Sequence, residues 1–347
     1  MSLENFGWGP FFSRHLDIEE PQFVPGRVSS QHRGLYRVFT ERGELVCNVS
    51  GRLRCEAVFS ADLPAVGDWI VLQPRELARG TIHRVLPRRT QLSRRAAGNR
   101  SEEQIIGANV DTVFIVTALD SDFSLRRIER YLSLIANSGA EPVLVLSKCD
   151  LAENTETKLR EATAVAQFAA VHMVSAVTGF GIDGLRSYLG RGQTVAFLGS
   201  SGVGKSTLIN ALLGNEVQKT REVRQSDSKG RHTTTYRRLI LVPDGGLLLD
   251  TPGMREVQLW ADEESLAHSF ADIAEAAETC HFRDCTHQHE PGCGVRDNVD
   301  PERLDSFHRQ QKELAFLHRQ TDVFAAQAEK QRWKTIHKTM RNFDKRR

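Results

Sequence analysis

The clearest sequence motif for ligand binding is at residues 199–206, which have the pattern G-x-x-x-x-G-K-S. An apolar run precedes it at 195–198, and an apolar-periodic helix is predicted after it. In a strand, loop and helix of this order, backbone N–H groups turn inward and the positive end of the helix faces an anion. The pattern predicts nucleoside triphosphate binding, with Lys205 on the β- and γ-phosphates and the Ser206 hydroxyl on Mg²⁺. The predicted loop residues are Gly199, Ser200, Ser201, Gly202, Val203, Gly204, Lys205, Ser206 and Thr207.

A further oxygen ligand for Mg²⁺ is predicted at Asp250, which ends the apolar run 247–249 and begins the pattern Asp-x-x-Gly. A carboxylate at the end of such a strand lies beside the metal, and the Gly253 N–H can face the γ-phosphate. Between the two motifs, the polar segment 226–235 ends in three consecutive threonines. One of them is expected to complete the Mg²⁺ shell. Thr234 is the candidate, and its two neighbours remain alternatives.

Guanine recognition is predicted at residues 147–150, which end another apolar run and contain Lys-x-Asp. The carboxylate of Asp150 can accept hydrogen bonds from the guanine N1–H and amino group, and such sheets bind ligands at the carboxyl ends of their strands. Residues 175–176 end the next apolar run and suit the loop whose backbone contacts the guanine O6. Asp150 favours GTP, and an ATPase remains an alternative. The predicted guanine residues are Ser147, Lys148, Cys149, Asp150, Ser175 and Ala176.

The base-binding motif precedes the phosphate loop in the chain, which indicates a circularly permuted domain. Permutation leaves a sheet intact because the ends of a domain usually lie close together. The former ends would be joined near residues 190–193, and the new end falls just after Asp-x-x-Gly. Movement of that segment on loss of the γ-phosphate would then pass directly to the C-terminal region.

A metal site is predicted in the C-terminal region, where three cysteines and a histidine fall within fourteen residues. Closed sets of three thiolates and one imidazole hold structural Zn²⁺ tetrahedrally and leave no open position for catalysis. His281 and His289 are expected to be bystanders. The predicted ligands are Cys280, Cys285, His287 and Cys293.

Composition predicts a soluble, cytoplasmic protein, since the net charge is only +2 and neither a long apolar run nor a signal-peptide pattern is found. Clustered cysteines then favour metal binding over disulfides. Basic residues are unevenly placed: residues 75–100 contain eight Arg against one acid, and residues 329–347 contain eight Lys or Arg against two acids. This asymmetry favours a polyanionic partner such as nucleic acid, with solvated charged faces as the alternative.

The elements that position these motifs begin with a leading segment, residues 1–34, expected to be an extended arm or to pack on the next domain. Five short β-type runs follow, at 34–40, 45–49, 55–59, 69–72 and 81–86, and a domain is predicted at residues 35–100. Short strands of this spacing predict an OB-like, RNA-binding barrel with a basic connector, and a small barrel without nucleic acid is the alternative.

Residues 101–258 alternate between apolar strands and helices, which predicts a parallel sheet covered by helices. Strands are expected at 110–118, 142–147, 171–175, 195–198, 236–242 and 247–250. Helices are expected at 125–137 and 155–168, near 182–189 and after the phosphate loop. Residues 259–325 are predicted to form a helical zinc domain, with helices at 266–277 and 301–320, the second capped by Asp300. Residues 326–347 form a basic tail.

Taken together, these motifs and their order resemble the circularly permuted GTPases. The OB-like N-terminal region and the C-terminal motif Cys-x4-Cys-x-His-x5-Cys narrow the resemblance to the small-ribosomal-subunit-dependent GTPase A family of bacteria. The resemblance covers roughly residues 25–325. The resemblance implies GTP hydrolysis stimulated by the small subunit, binding to ribosomal RNA and a part in late subunit maturation. Ser147 departs from the family pattern, because many GTPases carry Asn or Thr there, and it is expected to loosen the guanine loop modestly.

The residue after the Asp-x-x-Gly glycine is Met254, where many GTPases carry a Gln that orients the attacking water. Methionine cannot hydrogen-bond water usefully, so slow intrinsic turnover is predicted, with the ribosome ordering a substitute. His232, in the threonine-containing segment, is the candidate, and a purely RNA-binding or packing role is its alternative. An RNA-binding assembly chaperone that uses GTP only as a conformational ligand is the alternative function. A monomer is expected.

Overall fold

The computed structural model describes residues 2–16, 22–95, 103–120, 123–136, 138–166, 168–214, 237–243, 245–250, 266, 270–312 and 315. The chain divides into two compact units, Met1–Arg94 with Glu103–Trp260 and Arg95–Glu102 with Ala261–Arg347. The first unit contains a β-barrel and the sheet that carries the phosphate loop, and the second contains the cysteine cluster. Among the described residues, none belongs to a helix with the length and apolarity needed to cross a bilayer.

The N-terminal barrel is built from five strands: β1 (Val24–His32), β2 (Leu35–Thr40), β3 (Gly43–Val49), β4 (Trp69–Arg75) and β5 (Arg79–Val85). They pair in the order β1-β2-β3-β5-β4, and β4 pairs back with β1, which closes the barrel. The pair β3–β5 is parallel and the other pairs are antiparallel. The predicted small OB-like barrel is confirmed. Its interior is filled by apolar side chains, among them Val28, Val38, Ile70, Leu72 and Ile82.

The run at 55–59, predicted as a strand, is not one. Residues Gly51–Glu56 form a short helix, α2, and Ser50 is its N-cap. The Ser50 hydroxyl accepts a hydrogen bond from the Leu53 N–H at 3.1 Å, as an N-cap does. Val58 and Phe59 follow and are about half exposed, so the apolar pattern here does not mark a buried strand.

The fifth barrel strand is instead β1, which lies inside the segment predicted as a leading arm. Pro25 and Gly26 are usual strand breakers, and they hide this strand in the sequence. The structure needs the glycine, because a Cβ atom at Gly26 would lie 2.5 Å from Cγ1 of Val38. Residues before β1 form a 3-10 turn (Leu3–Phe6) and the helix α1 (Pro10–Arg14).

Those first residues pack on the barrel, in agreement with the second of the two expectations for the arm. The ring of Phe6 stacks on Phe39 at 4.8 Å, and Trp8 meets Trp69 edge-on at 4.7 Å between ring centroids. Arg191 also donates a hydrogen bond from Nε to Oδ1 of Asn5 at 2.6 Å. The N-terminal segment therefore contacts both the barrel and the loop at 190–193.

Arg27 on β1 is buried where the N-terminal segment, the barrel and the following sheet meet. Its guanidinium donates to the backbone oxygens of Phe6, Gly67 and Asn109, the last two at 3.2 and 2.7 Å. Burial lowers the pKa of Arg27 to about 10, so the side chain stays charged at neutral pH. One buried cation thus holds three separate segments through their carbonyl groups.

A two-stranded ribbon, β6 (Gln91–Arg95) with β7 (Glu103–Ala108), leads from the barrel into the larger sheet. Its approach contains Arg88 and Arg89, two members of the basic run at 75–100. Arg88 is only 15% exposed and is paired with the fully buried Asp68, and Arg89 is paired with Asp111. Arg88 therefore serves the fold and is removed from the predicted surface for a polyanion, whereas the paired Arg89 stays about half exposed.

The larger sheet comprises, among the described residues, β8 (Thr112–Ala118), β9 (Glu141–Ser147), β10 (Ala170–Met173), β11 (Thr194–Leu198), β12 (Arg238–Leu241) and β13 (Leu247–Asp250). They pair in the order β10-β9-β8-β11-β13-β12. Every neighbouring pair is parallel except β12–β13. The predicted parallel sheet is confirmed, with an antiparallel strand at one side. One backbone pair, Ser30 with Arg238, links this sheet to the barrel.

In the described part of the chain, four helices connect these strands: α3 (Leu125–Ala136), α4 (Thr155–Val165), α5 (Ile182–Arg186) and α6 (Lys205–Leu213). Each lies at a position where the sequence predicts a helix. Their apolar faces join the strands in one buried cluster, which includes Phe114, Phe197, Leu208 and Leu248.

The second unit contains α7 (Ala271–Ala277), α8 (Gly294–Asn298) and α9, which covers 301–312. Asp300 caps α9 as predicted, because its Oδ1 accepts the N–H of Glu302 at 2.8 Å and of Arg303 at 3.2 Å. Arg303 in turn donates from Nη2 to Oδ1 of Asp272 at 2.7 Å, which ties α9 to α7. A small apolar cluster lies beneath these helices: Leu266, Phe270, Ile273, Val295 and Leu304.

Candidate functional site

The predicted nucleotide residues meet at one edge of the larger sheet. Strands β8, β9, β10 and β11 are parallel, so their carboxyl ends lie side by side. The phosphate loop follows β11, the guanine motif begins at the end of β9, and Ser175 follows β10. Strand β13, parallel to β11, ends at Asp250. The topology therefore brings together motifs as far apart in the chain as Ser147 and Asp250.

The phosphate loop adopts backbone angles that explain its glycines. Gly199 has a φ of +146° and Gly204 a φ of +95°, which side-chain-bearing residues rarely adopt. A Cβ atom at Gly199 would also lie 2.2 Å from the Val116 carbonyl oxygen of β8. Helix α6 starts at Lys205, directly after Gly204, so the loop opens onto a helix N-terminus.

Lys205 lies over its own loop. Its Nζ donates hydrogen bonds to the carbonyl oxygens of Gly199 at 2.6 Å and Ser200 at 2.5 Å. These contacts hold the ammonium group within the loop, where an arriving phosphate would meet it. Ser201, Gly202 and Ser206 are exposed, Val203 is buried, and Thr207 is half-buried.

Ser147 joins the guanine motif to the phosphate loop. Its side chain is buried at the end of β9, and Oγ donates to the Val203 carbonyl oxygen at 2.6 Å. A longer contact of 3.4 Å reaches the Thr117 carbonyl oxygen on β8. The expected loosening at this departure from the family pattern is not what the contacts indicate, because the serine hydroxyl is long enough to bridge the two motifs.

The remaining guanine residues lie around this bridge. Lys148 has a φ of +57°, and its Nζ is 2.9 Å from Oδ2 of Asp120, which follows β8. Asp150 is exposed to solvent, where a base can reach its carboxylate. Cys149 donates its N–H to the Val174 carbonyl oxygen at 3.3 Å, and burial raises the pKa of its thiol, which keeps that thiol neutral.

The loop after β10 is fixed by its own backbone. Ser175 is buried, its Oγ accepts the Thr178 N–H at 3.2 Å, and its N–H donates to the Phe180 carbonyl oxygen at 3.0 Å. Ala176 packs against the core of the sheet. This tight turn can present backbone groups to a base.

The predicted magnesium ligands are partly within the described residues. Asp250 is 6% exposed at the end of β13, and Arg238 on β12 lies 3.6 Å from its Oδ2. A carboxylate oxygen and the Ser206 hydroxyl are hard donors that suit Mg²⁺. The other predicted residues of this region, His232, Thr234 and Gly253, lie outside the described residues.

The cysteine cluster of the second unit has the geometry of a tetrahedral metal site. The ligand atoms of Cys280, Cys285, His287 and Cys293 all lie within 4.8 Å of one another. The His287 Nδ1 is 3.6 Å from the Cys280 Sγ and 3.5 Å from the Cys293 Sγ. In a zinc site with Zn–S bonds of about 2.3 Å, neighbouring ligand atoms lie about 3.5–3.8 Å apart. The four side chains therefore fit Zn²⁺.

Local electrostatics favour the ligand forms of two of these groups. Backbone N–H groups of Val295 and Gly294, at the start of α8, lower the pKa of Cys280 and so favour its thiolate. Burial lowers the pKa of His287, which favours the neutral imidazole that a metal requires. His281 and His289 are exposed and are not part of the cluster, as predicted.

Two residues at the nucleotide edge are missed by sequence reasoning. Asp120 is one, and its position two residues beyond the end of β8 was the available signal, since ligands gather at strand ends. Arg127 on α3 is the other. Its Nη1 donates to the Ser200 Oγ at 2.8 Å, a contact for which the sequence gives no signal because the two residues are 73 positions apart.

Comparison with known proteins agrees with this geometry. A protein-family model described as RsgA GTPase matches residues 85–260, about half of the chain. A second one, described as ABC transporter, matches residues 182–344, a range that includes the phosphate loop common to many nucleotide-binding proteins.

Curated relatives match nearly the whole chain. The protein named "Small ribosomal subunit biogenesis GTPase RsgA" from Opitutus terrae is 45% identical, covering 98% of this chain and 97% of the relative. A protein of the same name from Methanosarcina acetivorans is 42% identical, covering 98% of this chain and 92% of the relative.

Two solved structures share the architecture. YjeQ from Thermotoga maritima has a TM-score of 0.63 at 28% identity, covering 84% of this chain and 99% of that one. YloQ, described as a circularly permuted GTPase, has a TM-score of 0.59 at 24% identity, covering 86% and 98%, and this likeness concerns the fold. With the permuted motif order, the family match and near-full-length identities above 40%, the chain belongs to the RsgA GTPase family.

Proposed function

We propose that this GTPase takes part in the biogenesis of the small ribosomal subunit, binding the subunit in its GTP form and leaving it after hydrolysis. The names of the relatives that cover 98% of the chain state this process. Those names carry the ribosomal part of the proposal. The observation that carries its nucleotide-dependent part is the meeting of the phosphate loop and the guanine motif at one sheet edge, joined by the Ser147–Val203 hydrogen bond.

In the proposed site, residues 199–207 hold the phosphates and the base lies against the end of β9. Backbone N–H groups of the loop and the N-terminus of α6 face the anion, and Lys205 exchanges its carbonyl partners for the β- and γ-phosphates. Asp150 accepts the guanine N1–H and amino group, and Lys148 packs over the ring. Ser175 and Ala176 contact O6 through their backbone.

Magnesium is proposed to be held by Ser206, Thr234 and Asp250, together with the phosphates. A cation held by these residues would supply positive charge that offsets the negative charge developing during hydrolysis. Gly253 is proposed to donate its N–H to the γ-phosphate. Zinc is proposed at Cys280, Cys285, His287 and Cys293, where it would stabilise the second unit and take no part in hydrolysis.

The water-orienting group is proposed to be His232, because Met254 occupies the position from which many GTPases use Gln. Turnover would then be slow in isolation and would rise when the subunit orders the histidine. His232→Ala tests this role: it is expected to abolish stimulation while leaving GTP affinity intact. Full stimulation in His232→Ala would exclude this histidine.

The decisive experiment for the function is GTP turnover by the purified full chain, alone and with salt-washed small ribosomal subunits. Large subunits serve as the matched control. A low basal rate raised many-fold by small subunits alone is expected. Equal rates with and without small subunits would overturn the ribosomal assignment. Tight GTP-dependent subunit binding without phosphate release would favour the assembly chaperone instead, and competition between unlabelled ATP and GTP separates an ATPase.

The wider proposals follow the same scheme. Ribosomal RNA is proposed to contact the barrel and the basic tail at 326–347, and other assembly factors are proposed as further partners. The protein is proposed to act in the cytoplasm as a monomer. Domain limits are proposed at 101–258 for the GTPase domain and 259–325 for the zinc domain. The limits of the barrel domain are proposed to begin before residue 35, so that they include β1 (Val24–His32).

A further inference from the structure

Arg127 lies at the start of α3, where a positive charge works against the helix. The first turn of α3 contains Arg126 and Arg127 and no acidic residue. Backbone N–H groups at a helix N-terminus carry a partial positive charge, which disfavours cations and favours anions. Helix stability therefore does not account for a guanidinium at this position.

The guanidinium is directed to the phosphate loop. Arg127 Nη1 donates to the Ser200 Oγ at 2.8 Å, and both residues are partly buried. The contact holds the guanidinium beside the loop, against a neutral hydroxyl.

The same serine marks which end of the triphosphate lies nearby. Its carbonyl oxygen accepts a hydrogen bond from Lys205 Nζ at 2.5 Å. The lysine of a phosphate loop reaches the β- and γ-phosphates. Ser200 therefore lies at the β/γ end of the cradle, with Lys205 on its backbone and Arg127 on its side chain.

We infer that Arg127 is a specificity-determining positioning residue that favours the nucleoside triphosphate over the diphosphate. It fixes the Ser200 end of the loop and adds a positive charge next to the γ-phosphate. GTP carries more negative charge than GDP, and the additional charge is at this end, so the attraction acts mainly on GTP. The inference rests on the proposed nucleotide site and identifies Arg127 as the residue that makes this site selective for the triphosphate.

The test measures dissociation constants of the full chain for GDP and for a non-hydrolysable β,γ-imido analogue of GTP. Arg127→Met removes the charge and keeps most of the side-chain volume. We expect the analogue to bind about five- to thirtyfold more weakly, because a charge-assisted interaction is lost, and GDP to change less than about threefold. Raising the ionic strength is expected to reduce the wild-type selectivity towards that of the variant.

Matched variants separate charge from structure. Arg127→Lys keeps the charge and is expected to retain selectivity within about threefold of wild type. Arg126→Met removes the same charge from the exposed neighbour on α3 and is expected to leave selectivity unchanged. Ser200→Ala keeps Arg127 but removes its hydrogen-bond acceptor, so selectivity is expected to fall. In the double variant, adding Arg127→Met to Ser200→Ala is expected to lower selectivity little further.

Equal weakening of GDP and the analogue in Arg127→Met would overturn the inference and assign the residue a structural role. Unchanged selectivity in Arg127→Met, or an equal loss in Arg126→Met, would overturn it as well. A wild-type protein that binds neither guanine nucleotide would instead refute the proposed site. The two failures are therefore distinguishable.

Discussion

The hydroxyl of Ser147 links the guanine motif to the phosphate loop. It is buried at the end of β9 and donates to the Val203 carbonyl oxygen at 2.6 Å, so the base-binding and phosphate-binding motifs share a hydrogen bond. From the sequence we expect Ser147 to loosen the guanine loop modestly, because the sequence shows that its side chain is short. The sequence does not show how close the two motifs lie, and that distance decides whether a short side chain can bridge them.

Ser147→Ala is expected to weaken GDP and GTP alike, by about two- to tenfold, since one buried hydrogen bond contributes roughly 0.5–1.5 kcal/mol. Ser187→Ala is the control, because the exposed Ser187 donates to the Gly184 carbonyl oxygen at 2.7 Å away from the sheet edge. Nucleotide titration by fluorescence measures both. An equal effect of the two substitutions would show that the bridge contributes nothing to binding.

Asp150→Asn tests guanine recognition. The carboxylate can accept from both N1–H and the amino group, whereas an amide offers one acceptor and one donor, so the donor would face the guanine amino group. We expect GTP affinity to fall about 100-fold, because a donor is left unpaired on each side. Xanthine has an oxygen in place of that amino group, so the variant is expected to bind xanthosine triphosphate more tightly than the wild type does. Comparison of xanthosine and guanosine triphosphate turnover measures the change, and an unaltered preference for guanine would remove Asp150 from the base site.

At the scale of elements, the barrel depends on one buried ion pair. Asp68 is fully buried and receives Arg88 through Nε and Nη2, both at 2.8 Å, and also accepts the Ala65 N–H at 2.8 Å. Burial raises the pKa of Asp68, while Arg88 opposes that shift. Removal of Arg88 would leave a buried carboxylate with a backbone partner but without its cation.

Arg88→Met is expected to destabilise the barrel by about 3–5 kcal/mol at neutral pH, the usual cost of removing one partner of a buried pair. The pKa of Asp68 is raised in the folded state, so its charged form opposes folding at high pH. The defect is therefore expected to shrink as pH falls towards about 3.9, the ordinary pKa of Asp. Arg52→Met is the control, because Arg52 and Glu56 form an exposed pair. Hydrogen exchange of β4 amides reports the difference, and equal protection in both variants would contradict the prediction.

The elements themselves are largely predictable, and the exceptions have physical causes. Alternation of apolar strands and helices identifies β8 to β11, and β8, β9 and β11 give the strongest signal because both of their faces are buried. The run at 55–59 fails because Ser50 caps a helix there, and two large apolar residues remain exposed. Strand β1 is missed because the tight contact that demands Gly26 comes from Val38, on the neighbouring strand, and only the fold shows it.

At the scale of the whole molecule, the second unit has a small apolar core and is expected to depend on the zinc proposed at its cysteine cluster. Removal of zinc with a chelator is expected to unfold α7 to α9 and to leave guanine nucleotide binding in the first unit within about twofold, since the two units have separate cores. Circular dichroism and nucleotide titration of the same sample measure the two effects. Retention of all helical signal without zinc would contradict a structural metal.

Cys285→Ser is the corresponding variant, and Cys55→Ser is its control because Cys55 is exposed on α2 of the barrel. Loss of one ligand is expected to lower zinc content and the melting temperature of the second unit, whereas the control is expected to match wild type. The ligand set is predictable from spacing alone. The help that Cys280 receives from backbone N–H groups of α8 is not, because it depends on how the helix is placed.

The contacts of the first residues also determine the order in which the chain can fold during its synthesis. Trp8 can pack on Trp69 as soon as the barrel strands have been synthesised. The hydrogen bond between Arg191 and Asn5 forms only after residue 191 has been made, and the one from Arg27 to Asn109 only after residue 109. At about 5–20 residues per second, residue 191 follows residue 5 by roughly 10–40 seconds. For that interval the nascent N-terminus is therefore held by contacts with the barrel, which are the aromatic stacking and the hydrogen bond from Arg27 to the Phe6 carbonyl oxygen. Its contact with Arg191 forms only after β8, β9 and β10 have been made.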